Sequence, residues 1–91
     1  VPVDGRPEVR SYSLSSSPQD SSWRISVKRH AEGRVSRVLH EHLTAGGQLR
    51  AAPPAGDFRL EAGDAPLLLI GAGIGVTPLV SMLAAAVAEQ R

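Results

Sequence analysis

Apolar and polar residues alternate in a short segment of the first third of the chain. Residues 23–28 change character at every position, which is typical of a strand with one buried face. A second strand is predicted at 9–14, and the turn-forming residues 15–22 separate the two strands. Two further short strands are predicted at 48–51 and 58–60. The pattern therefore predicts an antiparallel sheet.

A different spacing follows Gly33. Apolar residues recur there at intervals of three and four, which places them on one stripe of a short helix. The run Thr44-Ala-Gly46-Gly47 is expected to end that helix. The stripe consists of Val35, Val38, Leu39 and Leu43.

The pattern changes again in the last third of the chain. Residues 67–70 are uniformly apolar, as in a strand covered on both faces, and a buried helical turn is also compatible with so short a run. The glycines that follow favour the strand. A second helix is predicted from Pro78 toward Glu89, with Thr77 capping its free N–H groups. The predicted unit is strand, glycine loop, helix.

Charge and composition exclude several classes of protein. The 91 residues carry 10 basic and 9 acidic side chains, mixed along the chain, for a net charge of +1, so no basic stripe for nucleic acid is present. Cysteine is absent, which excludes disulfides, thiolate zinc sites and iron–sulfur ligation within these residues. No apolar run reaches the length of a membrane span. A soluble, cytoplasmic protein without membrane insertion is expected.

The three histidines do not predict a metal site. His40 and His42 lie two residues apart on the first predicted helix, so their side chains point in different directions. We expect no metal ligand among the histidines and assign them to solvent exposure or helix capping.

The loop from Gly71 to Pro78 joins the predicted buried strand to a helix N-terminus. Helix N-termini bind phosphate through free N–H groups and the helix dipole, and glycine lets the backbone approach the ligand closely. Counted from Gly71 the fingerprint GxGxxG fails at Val76, whereas counted from Gly73 the segment is GxGxxP. The loop predicts a dinucleotide phosphate site, and a tight turn without a ligand is the alternative.

A second candidate site lies at residues 10–13. Alternation places Arg10 and Tyr12 on one side of the strand, where a cation beside an aromatic ring suits a phosphorylated ring system. The backbone and hydroxyl of Ser13 are available for hydrogen bonds. Taken alone, the segment is also compatible with an ordinary edge strand that carries an arginine and a half-buried tyrosine.

Five segments together resemble the ferredoxin–NADP reductase superfamily in order and spacing. The residues of these segments are most similar to those in the reductase portion of flavohaemoglobins and in reductases fused to ferredoxin or MOSC modules. The resemblance covers nearly the whole chain. The segments are Arg10-Ser-Tyr12-Ser13, Ile25-Ser-Val-Lys28-Arg29, Gly33-Arg-Val35-Ser36, Pro54-Ala-Gly56-Asp-Phe58 and Gly73-Ile-Gly75-Val-Thr77-Pro78.

The resemblance implies a β barrel followed by the start of an α/β domain. Residues 1–65 are expected to be the C-terminal part of an antiparallel Greek-key barrel that binds FAD. Residues 66–91 are expected to be the first strand–loop–helix unit of an NAD(P)-binding domain. Strands before Arg10 and further strand–helix units are needed to complete these domains, so both ends are expected to be truncated.

The resemblance also assigns roles to individual residues. Arg10 is expected to bind flavin phosphate, Tyr12 to stack on the isoalloxazine ring and Ser13 to hydrogen-bond near its reactive nitrogen. Thr77 resembles the threonine at the nicotinamide–flavin junction. Tyr12, Ser13 and Thr77 are therefore the expected catalytic residues. The backbone N–H groups from Gly33 to Ser36 are expected to hold the pyrophosphate.

Further cofactor contacts follow from the same motifs. The segment 27–29 resembles one that touches flavin partly through its backbone, and a solvated strand face is the alternative for its two charges. The loop at 73–78 is expected to bind the nicotinamide dinucleotide. The complete set of expected cofactor-binding residues is Arg10, Ser11, Tyr12, Ser13, Val27, Lys28, Arg29, Gly33, Arg34, Val35, Ser36, Gly73, Ile74, Gly75, Val76, Thr77 and Pro78.

The implied function is that of part of a flavin-dependent oxidoreductase. Hydride would pass from NADH or NADPH to FAD, which is preferred over FMN as the flavin. Electrons would then pass to a haem, an iron–sulfur cluster or another acceptor outside these residues. A non-catalytic flavin- or nucleotide-binding module, such as a degenerate paralogue, is the alternative. The 91 residues alone are expected to be inactive.

Overall fold

The computed structural model describes residues 1–90, and in them it contains two short strands and two helices. Strands β1 (Pro2–Val3) and β2 (Arg6–Pro7) open the chain, and helices α1 (Arg34–His42) and α2 (Val76–Ala88) follow. A 3₁₀ turn at Gly73–Gly75 leads directly into α2. Within the described residues, no helix is long and apolar enough to cross a membrane.

β1 and β2 pair as an antiparallel hairpin with Val3 opposite Arg6. The turn consists of Asp4 and Gly5, whose φ angles of 51° and 77° are both positive. Positive φ at both central residues is the mark of a type I′ turn, for which Asp-Gly is a preferred dipeptide. This hairpin was not predicted from the apolar pattern, although the Asp-Gly signal was present.

α1 confirms the helix predicted after Gly33. Gly33 is its N-cap residue, and the helix ends before the predicted stop at residues 44–47, with Leu43 as the C-cap. Val35 and Leu39 are buried, and β1 contacts the helix. Because a helix this short is marginal in water, packing of the buried stripe accounts for much of its stability.

The strands predicted at 9–14 and 23–28 meet at one antiparallel bridge, between Leu14 and Ile25. The expectation that the apolar face of the second strand is buried is wrong, because Trp23 is 66% exposed and Ile25 is 38% exposed. A half-buried strand requires a second layer packed on its apolar face. Nothing in the part of the chain that the structure describes buries Trp23.

α2 confirms the second predicted helix but starts earlier than expected. It begins at Val76 rather than at Pro78, and its N-cap residue is Gly75. Thr77 lies inside the first turn, so the prediction that Thr77 caps the helix is wrong. Pro78 is compatible with this position because the first N–H groups of a helix have no partner within it. The buried apolar residues of the helix are Leu79, Ala85 and Ala86.

The segments 48–51, 58–60 and 67–70 have no strand assignment in the structure. Leu68 and Ile70 are 81% and 82% exposed. A strand forms only where a neighbouring strand completes its ladder of hydrogen bonds. The partial Greek-key barrel followed by a βα unit therefore stays a prediction.

By its backbone contacts the chain divides into two units. The first consists of Val1–Ser11 and Val27–Ala55, and the second of Tyr12–Ser26 and the residues from Gly56 onward. The first unit contains the hairpin and α1. The second contains the Leu14–Ile25 bridge, the 3₁₀ turn and α2. The predicted domain boundary between residues 65 and 66 stays a prediction.

Candidate functional site

Arg10, the expected phosphate ligand, has an exposed guanidinium held close to its own backbone. Its Nη1 donates a hydrogen bond of 2.7 Å to the Val9 carbonyl and lies 3.6 Å from Oε2 of Glu8. Both partners are near neighbours in sequence, so this conformation is local. The guanidinium keeps further N–H groups that can bind an anion.

The expected pyrophosphate segment forms the beginning of α1. Gly33 supplies no side-chain hydrogen bond to the first turn, and its N–H donates to the His30 carbonyl at 3.0 Å. The His30 N–H in turn donates to Ser36 Oγ at 3.3 Å. A Cβ at Gly33 would collide with that hydroxyl oxygen, so any larger residue must displace the Ser36 side chain from this bond. The first N–H groups of α1 therefore receive no side-chain cap from Gly33, an arrangement that favours negative charge near the helix N-terminus.

Arg34, at the start of α1, brings a second positive charge to the same place. Its Nη2 lies 3.5 Å from Oε1 of Glu8, the carboxylate that also contacts Arg10. Two residues expected to bind the flavin phosphates, far apart in sequence, therefore converge on one carboxylate.

The segment 27–29 has partners on α1. The Val27 carbonyl lies 2.7 Å from Nε2 of His40, and Arg29 Nη2 lies 2.5 Å from Glu41 Oε1. Lys28 is exposed. His40 is therefore neither solely solvated nor a helix cap, because it bonds to the adjoining segment. Glu41 lies much closer to Arg29 than Glu8 lies to Arg10 or Arg34, which makes a phosphate contact by Arg29 less favourable.

The remaining residues of the 10–13 motif differ in exposure. Tyr12 is half-buried, whereas Ser11 and Ser13 are exposed. The boundary between the two structural units falls between Ser11 and Tyr12. A half-buried tyrosine next to an exposed serine is compatible with one ring face for stacking and one hydroxyl for hydrogen bonding.

The three glycines of the loop 71–75 serve different purposes. A Cβ at Gly71 would lie 2.7 Å from Leu79 Cδ1, so Gly71 lets the loop pack against α2. Gly73 has a φ of +56°, which favours glycine. Gly75 has a φ of −61° and open space around the position of a Cβ. A tight turn therefore explains Gly71 and Gly73 but leaves Gly75 unexplained, and a closely approaching ligand would explain it.

Thr77 compensates for the proline that follows it. Its Oγ1 donates a hydrogen bond of 3.0 Å to the Ile74 carbonyl, and Thr77 is buried. In a continuous helix that carbonyl would accept from the N–H of residue 78, which Pro78 lacks. The Thr77 hydroxyl oxygen retains acceptor capacity for a ligand.

Sequence reasoning did not single out Glu8 as a site residue. A signal for it exists, because residues two apart on an extended segment share a side, which places Glu8 beside Arg10. Its charge type does not mark it as a ligand, because a carboxylate repels a phosphorylated ring.

Sequence reasoning also missed a polar clamp formed by Ser15, Ser16 and Arg24. Ser15 N–H donates to the Arg24 carbonyl at 2.8 Å, while Arg24 Nη2 donates to the Ser15 carbonyl at 2.5 Å. Ser16 Oγ accepts from the Arg24 N–H at 3.0 Å, and Ser15 Oγ lies 2.9 Å from Ser26 Oγ. Both clamp serines are buried, although a serine-rich run was expected to be only a loop.

An open groove of about 500 Å³ lies in the first unit, between the hairpin turn and α1. Arg34 and Arg37 line it with positive charge, and Asp4, Glu32 and Glu41 line it with negative charge. A groove of mixed charge does not favour one sign of ligand. Among the residues that the structure describes, no group of three or more acidic and histidine side chains could hold a metal ion.

Comparison with known proteins gives matches along nearly the whole chain. It is 49% identical over 89 residues to the flavohemoprotein of Pseudomonas putida and 48% identical over 89 residues to that of Pseudomonas aeruginosa. It is 45% identical over 83 residues to the flavohemoprotein of Deinococcus radiodurans. No family model and no solved structure matches the chain.

These matches are consistent with one class of protein, the flavin-dependent reductases that the motifs resemble. Within that class, the resemblance to the reductase portion of flavohaemoglobins is confirmed. The first two matches cover 98% of this chain and 23% of each relative, so the chain spans about a quarter of the length of these proteins. The name of the relatives states that they carry flavin and haem.

Proposed function

We propose that this chain is part of a flavin-dependent oxidoreductase that takes hydride from NADH or NADPH onto FAD and passes electrons to a haem. The observation that carries the proposal is the match over 98% of the chain to flavohemoproteins. The haem belongs to a part of the protein outside these residues. It is favoured over an iron–sulfur acceptor because haem is in the relatives' name.

The flavin half of the site is assigned to Arg10, Tyr12, Ser13 and the segment from Gly33 to Ser36. Arg10 and the N–H groups of Gly33 to Ser36 would hold the phosphates, since a cation and an uncapped helix end both favour negative charge. Tyr12 would stack on the isoalloxazine ring. Ser13, which is exposed, would hydrogen-bond the ring near its reactive nitrogen. In this assignment residues 1–65 are the C-terminal part of a Greek-key barrel.

The nicotinamide half of the site is assigned to the loop at 73–78. Gly75 supports this assignment, because neither its φ of −61° nor a neighbouring atom requires glycine, and a ligand that approaches the backbone does. Thr77 would lie at the nicotinamide–flavin junction with its hydroxyl already oriented by the Ile74 carbonyl. Residues 66–91 are then the first strand–loop–helix unit of an NAD(P)-binding domain.

When bound, the flavin supplies the hydride-accepting chemistry, and the protein supplies binding and alignment. Tyr12 would exclude water from one face of the ring and fix its plane. Ser13 would hold a hydrogen bond at the ring edge. Thr77 would set the approach of the nicotinamide, since hydride transfer depends strongly on the distance and angle between the two rings.

The test is made on the full-length protein that contains this chain. We expect the purified protein to show flavin absorbance that bleaches on addition of NADH or NADPH, and to turn over with ferricyanide as an artificial acceptor. Mass spectrometry of the heat-released cofactor distinguishes FAD from FMN. A protein without flavin absorbance, or with flavin that neither nicotinamide nucleotide bleaches, would contradict the proposal. Bound flavin without ferricyanide turnover would instead indicate a non-catalytic module.

A further inference from the structure

Two arginines from different parts of the first unit flank a single carboxylate. Arg10 Nη1 lies 3.6 Å from Oε2 of Glu8, and Arg34 Nη2 lies 3.5 Å from Oε1 of the same side chain. Each arginine therefore approaches a different oxygen. The Glu8 carboxylate alone brings the two guanidinium groups together.

A carboxylate held between two guanidinium groups resembles the way these groups hold phosphate. Arginine binds carboxylate and phosphate oxygens with the same planar arrangement of N–H donors. The three side chains are partly exposed, at 47% for Arg10, 54% for Arg34 and 25% for Glu8. Exposed ion pairs at these distances are weak, so another anion can replace the carboxylate without a large loss.

We propose that Arg34 is a second side-chain ligand for a flavin phosphate beside Arg10, and that Glu8 occupies the two arginines until the phosphate displaces it. The inference rests on the proposed function, in which Arg10 and the start of α1 bind the flavin phosphates. Arg34 is the first residue of α1, so a phosphate between the two arginines also lies near the free N–H groups of the helix.

The other arginine of α1 has a different partner and provides a matched control. Arg37 Nε lies 4.0 Å from Oε1 of Glu41, which also pairs with Arg29. Arg37 and Arg34 lie on the same helix, carry the same charge and are 55% and 54% exposed. The two differ in the carboxylate that each contacts, so a general effect of helix charge would affect both equally.

The proposal predicts opposite effects on FAD affinity for substitutions of Glu8 and of Arg34. Glu8→Gln removes the competing charge and keeps the shape of the side chain, so FAD is expected to bind severalfold more tightly. Arg34→Ala removes a charge-assisted contact, so FAD is expected to bind roughly tenfold more weakly. Neither change is expected to alter the binding of riboflavin, which has no phosphate. Both effects are expected to shrink at high salt.

The experiment measures the dissociation constants of FAD and riboflavin for the flavin-free full-length protein at low and high salt. The variants are Glu8→Gln, Arg34→Ala, Arg34→Gln and the control Arg37→Ala, and circular dichroism verifies that each is folded. Arg34→Gln removes the charge but keeps an unbranched stem with a polar end, and it is expected to weaken FAD binding as Arg34→Ala does.

The proposal is overturned if Arg34→Gln binds FAD as the wild type does, or if Glu8→Gln fails to tighten FAD binding. It is also overturned if riboflavin affinity changes in parallel with FAD affinity, or if Arg37→Ala weakens FAD binding as much as Arg34→Ala. These outcomes leave the proposed function intact as long as the wild type binds FAD. A wild-type protein that binds no flavin contradicts the proposed function itself, and the inference with it.

Discussion

The Thr77 hydroxyl donates a hydrogen bond of 3.0 Å to the carbonyl of Ile74. This carbonyl stands four residues before Pro78, which has no N–H to offer it. At the start of α2 the Thr77 side chain thus takes the place of the Pro78 N–H, beside the Val76 N–H that also points to this carbonyl. Thr77 therefore has a structural role in the loop in addition to the junction role proposed for it.

Replacing Thr77 tests the structural role. Thr77→Val keeps the shape of the side chain but removes the donor, and we expect it to lower the free energy of unfolding by about 0.5–1.5 kcal/mol. Thr77→Ser keeps the hydroxyl and should cost much less. Thermal unfolding of the two full-length variants measures the difference. Equal melting temperatures for the valine and serine variants would show that the bond to Ile74 contributes nothing to stability.

Two glycines at the N-caps of the two helices should respond differently to alanine. Gly33→Ala must displace the Ser36 hydroxyl from the His30 N–H, and we expect a loss of about 1–3 kcal/mol in stability. Gly75→Ala places its methyl group in open space and should change stability by about 0.5 kcal/mol or less.

The Gly75→Ala variant also tests the assignment of Gly75 to a ligand site. If the backbone at Gly75 approaches a dinucleotide, Gly75→Ala should weaken the binding of NADH or NADPH while the melting temperature is maintained. Nucleotide titrations of the full-length protein measure this. Unchanged nucleotide affinity in the stable Gly75→Ala protein would favour the interpretation of the loop as a turn without a ligand.

Arg10→Ala should weaken flavin binding. The loss of a charge-assisted contact to phosphate is expected to cost about 1.5–3 kcal/mol, or roughly 10- to 150-fold in the dissociation constant. Arg6→Ala, which removes an exposed arginine from β2, is the control and should bind flavin as the wild type does. A flavin affinity that is the same in both variants would remove Arg10 from the site.

The 91 residues expressed alone should fold poorly and transfer no hydride. Leu68 and Ile70 are more than four-fifths exposed, and Phe58 and Trp23 are also largely exposed. The apolar area that remains buried has to offset a chain-ordering cost of roughly 1–2 kcal/mol per residue. Calorimetry of the isolated chain checks this. A cooperative transition with one flavin bound per chain would show that the segment is a complete small domain.

The sequence was most informative about the helices. The spacing of Val35, Val38 and Leu39 defined α1, and the apolar residues after Pro78 defined α2, because a helix hydrogen-bonds within itself and its pattern is local. Strands behave differently. The alternation at 23–28 says which side chains share a face, but pairing depends on other segments, and the structure shows only the bridge at Ile25.

The sequence indicates which residues are candidate ligands, but it does not indicate the contacts among them. Motifs identified Arg10 and the segment that begins at Gly33, yet nothing in their spacing showed that Arg34 reaches the carboxylate beside Arg10. That contact depends on how α1 packs in the first unit. The same applies to His40, whose bond to the Val27 carbonyl depends on the path of the chain before the helix.

The clamp between Ser15 and Arg24 closes the base of the serine-rich segment that lies between them. Its bonds involve backbone groups, hydroxyls and one guanidinium, and they join the two ends of the segment without using residues 18–22. Exposed loop tips whose ends are tied together tolerate inserted sequence. Residues 18–22 therefore offer a position at which an epitope or a fluorophore can be introduced to follow the protein while the predicted cofactor-binding residues stay unaltered.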